Sequence, residues 1–148
     1  IIDKDLKLSK KMNLIRSKDT EKLFFVHDLN LKKDKIESMK VEGIRTIGVS
    51  TLENGNLNLD QIFKNLSKLG LTSVLVEGGG KIATSLLEVE LVDKLILFTA
   101  GIILDKNGID GFQPSIPASI NLNNYNRYDL DKSLTIGNDV AHFWNINN

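Results

Sequence analysis

The residues best suited to chemistry lie in one stretch, Val74-Leu75-Val76-Glu77-Gly78-Gly79-Gly80-Lys81-Ile82. Three glycines between an apolar run and an amphipathic run let the backbone turn sharply and approach a ligand closely, because no Cβ stands in the way. A helix that starts there points its first N–H groups, and the positive end of its dipole, at the occupant of the turn. An anion suits that place, and a nucleotide phosphate is the usual one. The same glycines could instead serve only to make a tight strand-to-helix turn. Glu77 closes the apolar run, where its carboxylate either accepts hydrogen bonds from a ligand or caps the helix that follows. Lys81 at the helix start and Glu88 and Glu90 near its end oppose the dipole, each at roughly 0.3–1 kcal/mol when exposed, and an anion beside Lys81 would recover part of that. The spacing is not the G-x-G-x-x-G of dinucleotide folds, and no acidic residue is assigned to a ribose.

The elements that must position this segment follow from pattern. Ile1-Ile2 reads as the end of a strand, and residues 1–20 as an extended or irregular lead-in. Leu23-Phe24-Phe25-Val26 and Ile44 to Val49 suit buried strands, separated by a helix over Leu31 to Glu42 that Gly43 stops. After the turn signal Glu53-Asn54-Gly55-Asn56, the residues Ile62, Phe63, Leu66 and Leu69 mark a helix with Asp60 near its start and Gly70 past its end. Thr72 to Val76 is a compact strand, Lys81 to Leu91 a helix, and Leu95 to Phe98 a further strand. Gly101 to Ser119, with Pro114 and Pro117, reads as a long loop of the kind that is more often functional than idle. Tyr125 to Ile146 forms a hairpin around Ile136-Gly137-Asn138-Asp139. Alternating strands and helices imply right-handed crossovers. The expected architecture is a three-layer α/β domain, mainly parallel with an antiparallel C-terminal hairpin, over residues 1–148.

Composition narrows the function classes. The 148 residues carry 19 Lys plus Arg against 19 Asp plus Glu, so the basic footprint of a nucleic-acid or anionic-membrane protein is missing. Cysteine is absent, which excludes disulfides, thiolate metal sites and a thiol nucleophile. With only His27 and His142, a histidine-rich metal site is not expected, and both histidines are read as surface or structural residues that qualify as proton donors only by type. No apolar run of membrane length and no signal-peptide pattern is seen, so a cytoplasmic location is the default expectation. The opening on Ile1, without methionine, is read as part of a longer protein.

The residues also resemble a family. Ser73-Val74-Leu75-Val76-Glu77-Gly78-Gly79-Gly80, then Ala83-Thr84-Ser85-Leu86-Leu87 and Leu91-Val92-Asp93-Lys94-Leu95, are similar to the reductase domain of the bifunctional riboflavin-biosynthesis deaminase/reductase. Ile2-Asp3-Lys4-Asp5-Leu6-Lys7-Leu8 and Ile136-Gly137-Asn138-Asp139-Val140 extend the match in order along nearly the whole chain. The resemblance implies a dihydrofolate-reductase-like fold, NADPH as hydride donor and a homodimer. It implies reduction of the ribosyl group of 5-amino-6-(5-phosphoribosylamino)uracil to a ribityl chain. By the same resemblance Glu77 contacts substrate, while Gly79, Gly80, Lys81, Ile82, Ala83, Thr84 and Ser85 lie against the cofactor. Lys4 falls near another cofactor-contacting position.

The chain departs from the family pattern at Gly80, where Pro or Ala is frequent, at Lys81, where Thr or Ser is, and at Ala100-Gly101-Ile102-Ile103. The elements that open the family's reductase domain do not precede Ile1, and neither the H-x-E nor the P-C-x-x-C of a zinc deaminase occurs; a deaminase domain is expected upstream in the full-length protein. Two other readings stay open: a non-catalytic cofactor-binding or dimerisation segment, and a reductase of the same fold acting on a pterin or another heterocycle.

Overall fold

The computed structural model describes residues 1–8, 12–16, 22–104, 108–112 and 128–146. It is a mixed α/β chain of two compact units, Ile1–Val74 and Leu75–Asn148.

The first unit is built on a parallel pair, β1 (Phe24–Asp28) and β2 (Arg45–Val49), in register from Phe24 opposite Arg45 to Asp28 opposite Val49. Ile2 adds a single parallel bridge to Val26 on the other side of β1, where a strand ending was expected at Ile1-Ile2. Parallel neighbours need a crossover, and α2 (Lys33–Val41) supplies it. The apolar run of β1 is buried, with Phe25 and Val26 at 0% and 3% exposure, as a strand covered on both faces requires. Phe25 meets Ile15, Met39 and Ile44, with Leu6, Leu8 and Leu23 packed around them. Burying a side chain of that size contributes about 1.5–3 kcal/mol. Ile15 reaches this core from a single helical turn, α1 (Asn13–Arg16), within the stretch expected to be irregular. At the ladder's open end the Arg45 guanidinium stacks 3.9 Å from the Phe24 ring centroid.

The helix α3 (Leu59–Lys68) follows β2 and buries Leu59 and Ile62. Its cap is Asn58, whose Oδ1 accepts from the Gln61 N–H at 3.0 Å, rather than Asp60, which instead pairs with Lys64 one turn on at 2.6 Å. Both α2 and α3 end as their glycines foretell. The Gly70 and Leu71 amides bond back to Ser67 and Leu66, and Gly43 and Ile44 bond to Lys40 and Met39. Gly43 and Gly70 take φ of 76° and 85°, a conformation that costs most other residues about 1–2 kcal/mol.

The second unit holds α4 (Gly80–Glu88) and an antiparallel sheet of β3 (Lys94–Thr99), β4 (Asp129–Ile136) and β5 (Asp139–Asn145), in the order β3-β5-β4. Helix α4 closes with the same pair of bonds, Glu90 to Leu87 and Leu91 to Leu86, but the left-handed position is held by Glu90 at φ 56° instead of glycine. The hairpin β4–β5 turns through Gly137-Asn138, with Ile136 opposite Asp139 and Gly137 at φ 63°. Lys132 lies over its cross-strand partner Phe143 at 4.7 Å.

The strand expected over Thr72 to Val76 does not form: among the described residues, 71–79 enter no ladder, and Val74, Leu75 and Val76 are 42%, 75% and 41% exposed. An apolar β-branched run marks a segment fit for burial, but a strand exists only through a hydrogen-bonding neighbour, which such a run does not specify. In the expected loop, residues 101–104 and 108–112 have no regular structure, whereas Pro114, Pro117 and the hairpin's start at Tyr125 lie outside the described residues. Among the described residues no helix is long and apolar enough to cross a membrane.

Candidate functional site

The glycine segment leads into α4 as expected, but its three glycines do different things. A Cβ on Gly78 would fall 1.9 Å from Cγ2 of Ile82, one turn on. Ile82 is β-branched and stiff in a helix, so it has little room to yield. A Cβ on Gly80 would stand 2.7 Å from the carbonyl oxygens of both Asp110 and Gly111, which are backbone atoms. These two glycines are therefore demanded by packing, and the second accounts for the departure from Pro or Ala at Gly80: the 110–111 backbone fills that space. Gly79 is different. A Cβ there would meet nothing within 4 Å among the described residues, and its extended backbone (φ −75°, ψ 176°) is open to any residue.

Gly79 is also the N-cap of α4. Its carbonyl accepts from the Ile82 and Ala83 amides at 3.1 and 3.2 Å, and no side chain caps the helix. The Gly80 and Lys81 amides find no acceptor among the described residues. An uncapped start of this kind has a partial positive charge and donors to offer. Glu77 is exposed and has no hydrogen bond or ion pair among the described residues, so it does not cap α4. Lys81 is likewise exposed and unpaired among them, at the entrance of a helix whose first turn has no acidic residue. Ile82, Ala83 and Ser85 are half-buried, and Thr84 is buried at 7%. Of the residues expected to meet cofactor, Gly79, Gly80 and Lys81 thus offer their backbone donors, while Thr84 faces the interior.

Lys4 lies in the first unit, at the carboxyl ends of the parallel strands, where ligands of such sheets bind. Its Nζ donates to the Gly55 carbonyl at 2.5 Å, and its own carbonyl accepts from the Asp28 amide at 3.0 Å. Asp28, the last residue of β1, takes the Asn30 N–H on Oδ1 at 2.9 Å. That bond, the Thr51 side chain beside it and the Lys4 charge hold the Asp28 carboxyl below its ordinary range. The buried Oγ1 of Thr51 nevertheless has no hydrogen bond of good geometry among the described residues. Asp28, Asn30 and Thr51 were not singled out from sequence; the signal available was an acidic residue closing a buried apolar strand just before a Leu-Asn turn.

His27 is 3% exposed within β1, with Nδ1 2.7 Å from the Asp28 carbonyl oxygen. His142 stands in β5 opposite Leu97 and Ser133, its ring 6.4 Å from that of Trp144. A cavity of about 340 Å³ in the second unit is lined by Leu87, Leu95, Leu97, Phe112, Tyr128 and Trp144. Its lining is apolar and contains none of the residues expected to meet substrate or cofactor. No group of three or more metal-ligating side chains occurs among the described residues.

The described residues form a mixed α/β chain with a glycine-led helix start. Residues 1–142 match the model of the RibD C-terminal domain, and the chain belongs to that family, a family of riboflavin-pathway reductase domains. In fold it is similar to two crystal forms of RibD from Acinetobacter baumannii, at TM-scores of 0.78 and 0.77 and 15% identity, each match covering 97% of this chain. It is also similar to a pyrimidine reductase-like protein from Corynebacterium diphtheriae, at TM-score 0.76 and 17% identity over 99% of this chain. The chain spans 36% of the Acinetobacter protein and 60% of the Corynebacterium one. No curated protein matches it in sequence.

Two outcomes follow from this geometry. Gly80→Ala, which drives a Cβ into the 110–111 backbone, should lower stability by about 1–3 kcal/mol, whereas Gly79→Ala should leave the melting temperature within a degree or two; thermal unfolding of both variants checks this. Asp28 has its native pKa below the unfolded value of 3.8, so its contribution to stability is present above that pH and is lost as pH falls through the native value. Asp28→Asn should therefore show a smaller drop in unfolding midpoint than the wild type between about pH 5 and about pH 2.5.

Proposed function

We propose that this domain catalyses the NADPH-dependent reduction of the ribosyl group of 5-amino-6-(5-phosphoribosylamino)uracil to the ribityl chain. The observation that carries the reading is the start of α4 in a chain of the RibD C-terminal family: among the described residues the Gly80 and Lys81 amides have no acceptor, nothing lies within 4 Å of a Cβ on Gly79, and the Lys81 side chain has no partner. That donor set fits an anionic pyrophosphate, because both backbone donors and the lysine charge lack protein partners among the described residues. NADPH, when bound, supplies the hydride.

The chain's own residues bind and orient. Gly79, Gly80 and Lys81 hold the cofactor phosphates, with Ile82, Ala83, Thr84 and Ser85 fixing the helix that carries them. Glu77, exposed and without a partner among the described residues, is free to accept hydrogen bonds from substrate hydroxyl or amino groups and so align the sugar carbon that is reduced. The same reading makes this domain the reductase half of a longer, cytoplasmic, homodimeric enzyme with a zinc deaminase domain upstream.

Glu77→Gln and Glu77→Ala in the full-length protein should cut turnover about a hundredfold, the scale of a lost positioning contact. The melting temperature should not move, since Glu77 is exposed and has no partner among the described residues. Steady-state turnover of the pyrimidine substrate at saturating NADPH measures this, and wild-type rates in both variants would remove Glu77 from the site.

A further inference from the structure

The turn after β2 carries one of the chain's two Asn-Gly pairs, Asn54-Gly55; the other, Asn107-Gly108, begins outside the described residues. Asparagine before glycine can close on itself, because without a Cβ the glycine nitrogen reaches the side-chain carbonyl carbon unhindered. Both reacting groups belong to adjacent residues, so their proximity is built in. Asn54 and Gly55 are exposed, and a Cβ on Gly55 would meet only the Lys4 Nζ, at 4.0 Å. The Asn54 side chain already folds forward over this backbone, its Oδ1 accepting the Asn56 N–H at 3.0 Å. That donor sits where negative charge develops when the side-chain carbonyl carbon is attacked. The nucleophile, however, is restrained. The Gly55 N–H donates to the Leu52 carbonyl at 2.9 Å, and the Leu52 N–H donates to the Asn56 carbonyl at 2.8 Å. Thr51 and Leu57 bridge at the base of the turn, and the distant Lys4 ammonium donates to the Gly55 carbonyl at 2.5 Å. Local opening of such an exposed turn is what would bring nitrogen and carbon together.

We infer that Asn54 is a site of spontaneous deamidation, and that the Lys4–Gly55 bond slows the reaction by holding the turn closed. The Gly55 nitrogen bonds to Cγ of Asn54 and gives up its proton as the side-chain amide leaves as ammonia, forming a cyclic imide. Water then opens the imide at either carbonyl, leaving aspartate or isoaspartate. The balance is one water consumed and one ammonia released, with no oxidant or reductant. Isoaspartate routes the main chain through the former side chain and lengthens it by one methylene, which the Leu52–Asn56 pairing does not accommodate. Either product sets a carboxylate beside the residue that Lys4 holds, so the modification changes charge and backbone together at this turn.

The experiment incubates the wild type, Lys4→Met and Lys4→Arg at mildly alkaline pH, each folded and in urea. Peptide mass mapping then follows the exchange of amide for carboxyl at residue 54. The folded wild type should react about tenfold more slowly than the same chain in urea, because the turn must first open. Lys4→Met should raise the folded rate about fivefold, the effect of one lost hydrogen bond, and leave the rate in urea unchanged. Lys4→Arg keeps a cation for the Gly55 carbonyl and should keep the slow folded rate. If Asn54 stays an amide in all three folded proteins while the chains in urea are fully converted, the site is overturned. Equal folded rates in the wild type and Lys4→Met, or a Lys4→Arg rate as fast as Lys4→Met, would overturn the role of the Lys4 bond.

Discussion

Two missing Cβ atoms shape the start of α4. Without a side chain on Gly78, Ile82 can lie against the turn; without one on Gly80, the Asp110 and Gly111 carbonyls can come within 2.7 Å of the vacant Cβ position. The Gly80 and Lys81 amides, in the helix's first turn, have no acceptors among the described residues. Gly79, between the two, is under no such demand. The turn is thus packed at Gly78 and Gly80, and the tight-turn reading holds for those two glycines.

The first unit works through a different constraint. Parallel strands bring their carboxyl ends to one edge, so residues far apart in sequence, at Asp3-Lys4, Asp28 and Ser50-Thr51, become neighbours through the ladder alone. The core beneath them is the buried face of β1 against Ile15, Met39 and Ile44, and it holds that edge in place. His27 belongs to this support, buried and bonded beside the last residue of the strand. Charge at the edge is then a matter of local balance: Asp28 is kept ionised by the Asn30 amide, the Thr51 side chain and the Lys4 charge.

What the sequence revealed follows from the range of each cause. Local signals were legible: the glycines ending α2 and α3, the Gly137-Asn138 turn, the amphipathic stripe of α3 and the glycine lead into α4 each depend on residues within a turn or two. Signals that depend on a distant partner were not. Thr72 to Val76 has a strand's composition but no ladder neighbour among the described residues, and α1 is a single turn whose Ile15 makes sense only against Phe25. Glu90 takes a left-handed helix end that sequence rules reserve for glycine. The Lys4–Asp28 edge required the register of two segments over twenty residues apart, which periodicity does not carry.

Whether the first amides of α4 bind the phosphates of a nucleotide cofactor is tested most directly by backbone amide NMR during an NADPH titration, because an N–H that gains a charged acceptor moves downfield and is slowed in exchange. Gly80 and Lys81 should shift together and saturate with a single affinity, with smaller changes at Ile82 and Ala83. Unmoved Gly80 and Lys81 resonances, while other residues report cofactor binding, would contradict it.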